Sequence, residues 1–126
     1  MNIYPHLPDS EFIIMQIIWS NNTPISKTTV AELASEHGWK PQTVHSFLNR
    51  LEKRGFLSSE KQGKERVYEP IVCREAYLNQ ETERFISTVH QNSLKGFMTA
   101  LFSNKVSKED LSEIKQWLDE NSSEGE

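Results

Sequence analysis

Apolar residues crowd the chain from Glu11 to Asn21, where Phe12, Ile13, Met15, Ile17, Ile18 and Trp19 leave few polar positions. A short stretch apolar on most sides predicts a core helix, and Asp9 or Ser10 can cap it. Asn21, Asn22, Thr23 and Pro24 predict a turn, and Ile25 a short strand contact. Val30, Leu33 and Ala34 then recur at helical spacing in a second helix that Ser26 or Thr28 can cap and that ends at Gly38. The clearest pattern follows. Val44, Phe47, Leu48 and Leu51 fall at the i, i+3, i+4, i+7 spacing of a buried stripe. Pro41 suits the first position of that helix, and Gly55 the point where the chain must leave it. Trp39 fills the joint between the two helices. Phe56–Lys61 and Glu65–Val72 flank Gln62-Gly63 and predict a β-hairpin closed by Pro70.

From Cys73 or Arg74 to Asn104 the composition is helical, with few breakers besides Gly96 and the cap-like Asn92-Ser93. Tyr77, Leu78, Phe85, Ile86, Val89, Leu94, Phe97, Met98, Leu101 and Phe102 recur at threes and fours, which predicts a long amphipathic helix. Ser107 and Asp110 form the acidic variant of a capping box before a last helix, 108–121. Leu111, Ile114, Trp117 and Leu118 share one of its faces. The fold class expected is mainly α: a winged helix-turn-helix of three helices and a hairpin wing over residues 1–72, then a helical dimerisation region over 73–126. The C-terminal stripes can fold back as a helical hairpin or pair with a second copy. Two-fold pairing is favoured, because one reading helix spans few base pairs and two double the contacts on a palindrome. The dimerisation residues expected are Tyr77, Leu78, Phe85, Val89, Leu94, Phe97, Met98, Leu101, Phe102, Leu111, Ile114 and Leu118.

The polar side of the third helix carries the functional argument. Lys40, Gln42, Thr43, His45, Ser46, Asn49, Arg50 and Lys53 lie off its apolar stripe, with no carboxylate before Glu52. An ordinary solvated face mixes both charge signs. Asn, Gln and Arg bond base edges bidentately, and Thr and Ser bond phosphates or bases. The bland alternative is a polar face on a core helix, and the hairpin weighs against it. Its tip holds Lys61, Lys64 and Arg66, cations placed to reach backbone phosphates.

Charge sorting sharpens this picture. The 126 residues carry a formal charge of −4, yet residues 40–66 hold seven Lys and Arg against three Glu, a local +4. A basic segment on an acidic chain is the footprint of a binding stripe for duplex DNA. The single cysteine, Cys73, forms neither an internal disulfide nor a metal set, and a structural thiol is the simpler reading. His6, His37, His45 and His90 make no ligand pair, so no metal and no cofactor is expected. Glu109-Asp110 sits in a helix's first turn, where the dipole favours acids, and there is neither a phosphate loop nor a nucleophile elbow; all this argues against an enzyme. No signal peptide or apolar span is present, which predicts a cytoplasmic location. The competing functional class is a winged helix whose basic face meets an acidic protein.

With these residues placed, the chain resembles the penicillinase repressors of the BlaI/MecI type. The resemblance covers most of the chain. It rests on Ile17–Trp19, on Trp39–Leu57 with its W-x-P-x-T-V-x-x-x-L-x-R-L-x-x-(K/R)-G pattern, on Arg66–Val72 and on Leu111–Leu118. It implies a winged-helix homodimer on palindromic operators that represses β-lactam resistance genes. It also implies contacts from Gln42, Thr43, His45, Ser46, Asn49 and Arg50. The family commonly has Lys or Arg where Gln42 and His45 stand. Release in the family is by proteolysis triggered by a membrane β-lactam sensor protease, often at an Asn-Phe bond. This chain has no such pair; Leu101-Phe102 and Ser103-Asn104 are the nearest candidates. A repressor of this fold answering another signal is the alternative within the family. The C-terminal cysteine cluster of the copper-responsive branch is absent.

Overall fold

The computed structural model describes residues 3–104 and 106–121. The chain forms two compact units, Met1–Glu81 and Thr82–Glu126. The first contains α1 (Asp9–Trp19), β1 (Ile25–Ser26), α2 (Lys27–Leu33), a 3₁₀ turn (Ala34–His37), α3 (Pro41–Lys53), β2 (Leu57–Gln62) and β3 (Glu65–Pro70). The next helix, α4 (Arg74–Val89), begins in this unit and continues into the second, where α5 (Leu94–Ser103) and α6 (Lys108–Asn121) follow.

The core of the first unit is where the apolar pattern leads. Ile14, Met15 and Ile18 of α1, Val30 of α2, and Val44, Leu48 and Leu51 of α3 are fully buried together, with Phe47 beside them. The cap of α1 differs from expectation. Pro8 occupies the cap position without a side-chain hydrogen bond, and Asp9 and Glu11 lie inside the first turn, where the helix dipole favours acids. At α2 the cap is Ser26, whose Oγ accepts from the Thr29 N–H at 3.1 Å. The second helix is also shorter than its composition predicts. Its last turn tightens to 3₁₀ and stops at Gly38 with φ +80°.

α3 begins at Pro41 and ends in a Schellman turn. Phe56 N–H bonds Leu51 C=O at 2.9 Å and Gly55 N–H bonds Glu52 C=O at 3.1 Å, with Gly55 at φ +84°. Leu51 and Phe56, the apolar pair that accompanies this turn, are both buried. The three-stranded antiparallel sheet has the order β1-β3-β2. Hairpin register pairs Lys61 with Arg66 and Gln62 with Glu65 around the two-residue loop Gly63-Lys64. Gly63, at φ +63°, takes the position that such a loop reserves for glycine.

The start of α4 departs from the sequence reading. Tyr77, expected on a dimerisation stripe, is 1% exposed in the core of the first unit. Its ring packs against Phe12, Trp19 and Phe56, and its hydroxyl accepts the Leu7 N–H at 2.8 Å. Trp19 Nε1 donates to Val72 C=O at 3.0 Å and closes the same corner.

The single long helix expected over 74–104 is two helices. Gln91 and Asn92 have φ of 51° and 63°, which turns the chain. Ser93 then caps α5 by accepting from the Gly96 N–H at 2.9 Å. Asn tolerates the left-handed region better than other side chains, so the cap-like pair is a genuine break. Phe85, His90 and Phe97 pack edge-to-face around it. α6 starts as expected, with Asp110 N–H donating to Ser107 Oγ at 3.0 Å. The loose tail beyond Asn121 lies outside the described residues.

Candidate nucleic-acid interface

α3 presents its polar face because its other face is buried. At about 100° per residue, Gln42, Ser46, Asn49 and Lys53 fall on one line along the helix. Thr43 and Arg50 lie beside that line, and all six are exposed. Lys40 stands exposed at the cap position, and no acid lies in the first turn. Ser46 Oγ donates to Gln42 C=O at 3.2 Å, which points this hydroxyl back along the helix. The N-terminal end of α3 is braced by Trp39. Its ring meets Phe47 edge-on with centroids 5.0 Å apart and stacks on His37 at the same distance.

The C-terminal end of α3 is tied down twice. Arg54 Nε lies 2.9 Å from the Oε1 of Glu11, a carboxylate 2% exposed on α1. That oxygen has no directed hydrogen bond, so the contact is chiefly one of charge. On the sheet side, Ser59 Oγ donates to Glu52 Oε2 at 2.8 Å, and an Arg66 guanidinium nitrogen donates to Ser59 Oγ at 2.9 Å. Arg66, read from the sequence as a wing cation, thus also anchors the hairpin to the helix. Beneath it the buried Tyr68 hydroxyl is pushed above the usual phenol range by burial first and by Glu52 second, against an opposing effect of Arg66.

His45 departs from the line of exposed side chains. It is half-buried and lines a cleft of about 340 Å³ with Lys27, Thr28, Lys61, Lys64, Glu65 and Arg66. Burial, and then the charge of Lys27, hold its imidazole below the ordinary histidine range. A neutral ring at neutral pH offers one N–H donor and one acceptor. The structure therefore brings three of the sequence-derived cations, Lys61, Lys64 and Arg66, to one cleft with His45. It adds two residues that sequence reasoning missed, Lys27 and Thr28. The signal was weak: a lysine directly after a helix cap is ordinary, and only the sheet brings it to the wing. Among the described residues no group of His, Cys, Asp or Glu is arranged to hold a metal. Cys73 is exposed rather than buried, with Sγ 3.5 Å from Glu75 Oε1. No helix among the described residues is long and apolar enough to cross a membrane.

These features match known proteins along nearly the whole chain. Residues 7–120 match the family model described as penicillinase repressor. A penicillinase repressor of Bacillus licheniformis is 27% identical over 121 residues, spanning 95% of this chain and 94% of its own. The methicillin resistance regulatory protein MecI of Staphylococcus aureus is 29% identical over 107 residues, spanning 85% and 84%. The solution structure of the DNA binding domain of the repressor BlaI superposes with a TM-score of 0.53 at 32% identity, over 61% of this chain and 94% of that one. The monomeric form of Bacillus licheniformis BlaI, solved in complex with the blaP half-operator, matches with a TM-score of 0.52 at 32% identity and the same coverage. With a winged-helix unit, an acid-poor outer face on α3 and a family match over residues 7–120, the chain belongs to the penicillinase repressors, transcriptional repressors rather than enzymes.

Proposed function

We propose that the protein binds a palindromic DNA operator as a homodimer and represses β-lactam resistance genes. The observation that carries this reading is the exposed face of α3, six polar or cationic side chains without a carboxylate, beside a cleft rich in cations. Gln42, Asn49 and Arg50 have the chemistry for base edges; Lys40, Lys53, Lys61 and Lys64 have it for phosphates. The complex of the related BlaI with a half-operator supports DNA as the partner.

Pairing is supported by the apolar surface of the second unit. Phe85, Val89, Leu94, Trp117 and Leu118 are each at least 45% exposed. Large apolar side chains gathered into one patch mark an interaction surface, and pairing with a second copy would cover them. Release by a membrane sensor protease is the reading the family suggests. Leu101-Phe102 lies in the last turn of α5, where opening a helix costs least. A fragment ending at Leu101 in extracts of β-lactam-treated cells is the expected product; intact chain throughout induction refutes this step.

One titration tests the central reading. The full chain is added to duplex DNA carrying its upstream region at several salt concentrations. Log K falls by about 0.9 per phosphate contact for each tenfold rise in salt, and two chains occupy each site. Arg50→Ala weakens binding to that site by about 1–3 kcal/mol and leaves random duplex nearly unaffected. Lys64→Ala weakens both about equally. Binding that ignores salt, or an absence of binding, moves the basic face to a protein partner.

A further inference from the structure

The cleft between α2, α3 and the wing is cationic, with one exception. Lys27, Lys61, Lys64 and Arg66 line it together with His45, and the only carboxylate among its lining residues is Glu65. The sheet explains the placement. β1 pairs with β3 so that Ile25 faces Tyr68 and Ser26 faces Val67. β1 ends at Ser26 and α2 begins at Lys27, so the first turn of α2, with Lys27 and Thr28, comes to lie beside the start of β3. The Thr28 hydroxyl donates to Glu65 Oε1 at 2.5 Å. The hydrogen bond joins two exposed side chains and draws the carboxylate toward a cleft whose other charges are positive. At about 340 Å³ the cleft has the volume of roughly ten waters, room for a phosphate group once the Glu65 carboxylate has left it.

We propose that Glu65 is a built-in competitor for the DNA backbone: its carboxylate occupies a phosphate site formed by Lys27, Thr28, Lys61 and Lys64, and must swing aside for a backbone phosphate to enter. This rests on the DNA-binding reading above and deepens it. In the free protein the carboxylate neutralises part of the cationic cleft and holds the Thr28 hydroxyl. When a phosphate arrives, two anions cannot share the site, because like charges at such separations repel by one to several kcal/mol. Glu65 turns away from the cleft, and the Thr28 hydroxyl is released to donate to a phosphate oxygen. The device weakens binding to every sequence alike, since a backbone phosphate carries no base identity. Discrimination between operator and random DNA is therefore left to α3, while non-specific occupancy falls.

Glu65→Gln is the decisive variant. Glutamine keeps the length and can still accept from Thr28, so the fold is retained and only the charge is lost. Binding of the full chain to a random-sequence duplex at low salt is measured by fluorescence anisotropy. The expected result is tightening by about threefold to tenfold, with the same gain on the upstream-region duplex. Thr28→Val then costs more affinity in the Glu65→Gln background than in the parent. Unchanged or weaker binding by Glu65→Gln overturns the proposal, as does a gain confined to one sequence. If neither chain binds DNA, the DNA-binding reading has failed, and titration with inorganic phosphate followed by amide shifts at Thr28 and Lys64 decides the remainder. Saturation at lower phosphate in Glu65→Gln upholds the competing carboxylate; identical curves reject it.

Discussion

Tyr77→Ala unfolds the first unit more readily by about 3–5 kcal/mol, the range for removing a large buried aromatic side chain. The ring is 1% exposed and touches Phe12, Trp19 and Phe56, so its loss opens a cavity that three rigid rings cannot collapse into. The same substitution strands the Leu7 N–H, which donates to the Tyr77 hydroxyl. Tyr77→Phe isolates that second effect and costs about 1–3 kcal/mol, the penalty for an unsatisfied buried donor. For a unit of this size each kcal/mol lowers the melting temperature by about 4–8 °C. Thermal unfolding followed by Trp fluorescence is the measurement, because Trp19 packs on the ring in question. A residue on a dimer face behaves otherwise: its alanine variant keeps the melting temperature of the isolated chain and loses self-association. That second pattern would return Tyr77 to the dimerisation stripe.

Arg54→Met destabilises the protein by about 2–4 kcal/mol. Removing one partner of a buried pair leaves an uncompensated charge, and here the stranded group is the Glu11 carboxylate, 2% exposed on α1. The Arg54 side chain is itself 36% exposed, and solvent reaching the vacated position keeps the cost below that of a fully enclosed pair. The double variant Glu11→Leu with Arg54→Met recovers most of the loss, since two apolar side chains of similar size need no charge compensation. Chemical denaturation of the four chains gives the coupling energy directly. A coupling below about 0.5 kcal/mol shows that the contact does not hold α3. The functional consequence follows from position. Glu11 and Arg54 tie α1 to the end of the helix that carries Asn49 and Arg50, so the single Arg54 variant also loosens the presentation of that polar face.

Much of α3 could be read along the chain. Its core stripe of Val44, Phe47, Leu48 and Leu51 and its punctuation by Pro41 and Gly55 depend on neighbours three to five residues away, and the structure has them so. The hairpin with Gly63 at its turn is equally local. Periodicity shows that a face is buried without naming what covers it. Spacing alone therefore puts Tyr77 on a pairing stripe, whereas it belongs with Phe12, Trp19 and Phe56. The break at Gln91 and Asn92 shows in the sequence only as the neighbouring cap-like Asn92-Ser93, because helical composition on both sides outweighs it.

Local order in this chain follows from short-range spacing: which stretches are helical, which face is apolar, where the cations cluster. The partnerships of Glu11 with Arg54, of Thr28 with Glu65, and of Lys27 with the wing come from sheet pairing and helix packing across 34 residues or more. Side chains so far apart along the backbone meet only after the core has closed, because hydrophobic burial is non-directional and leaves the pairing to the geometry of the assembled elements.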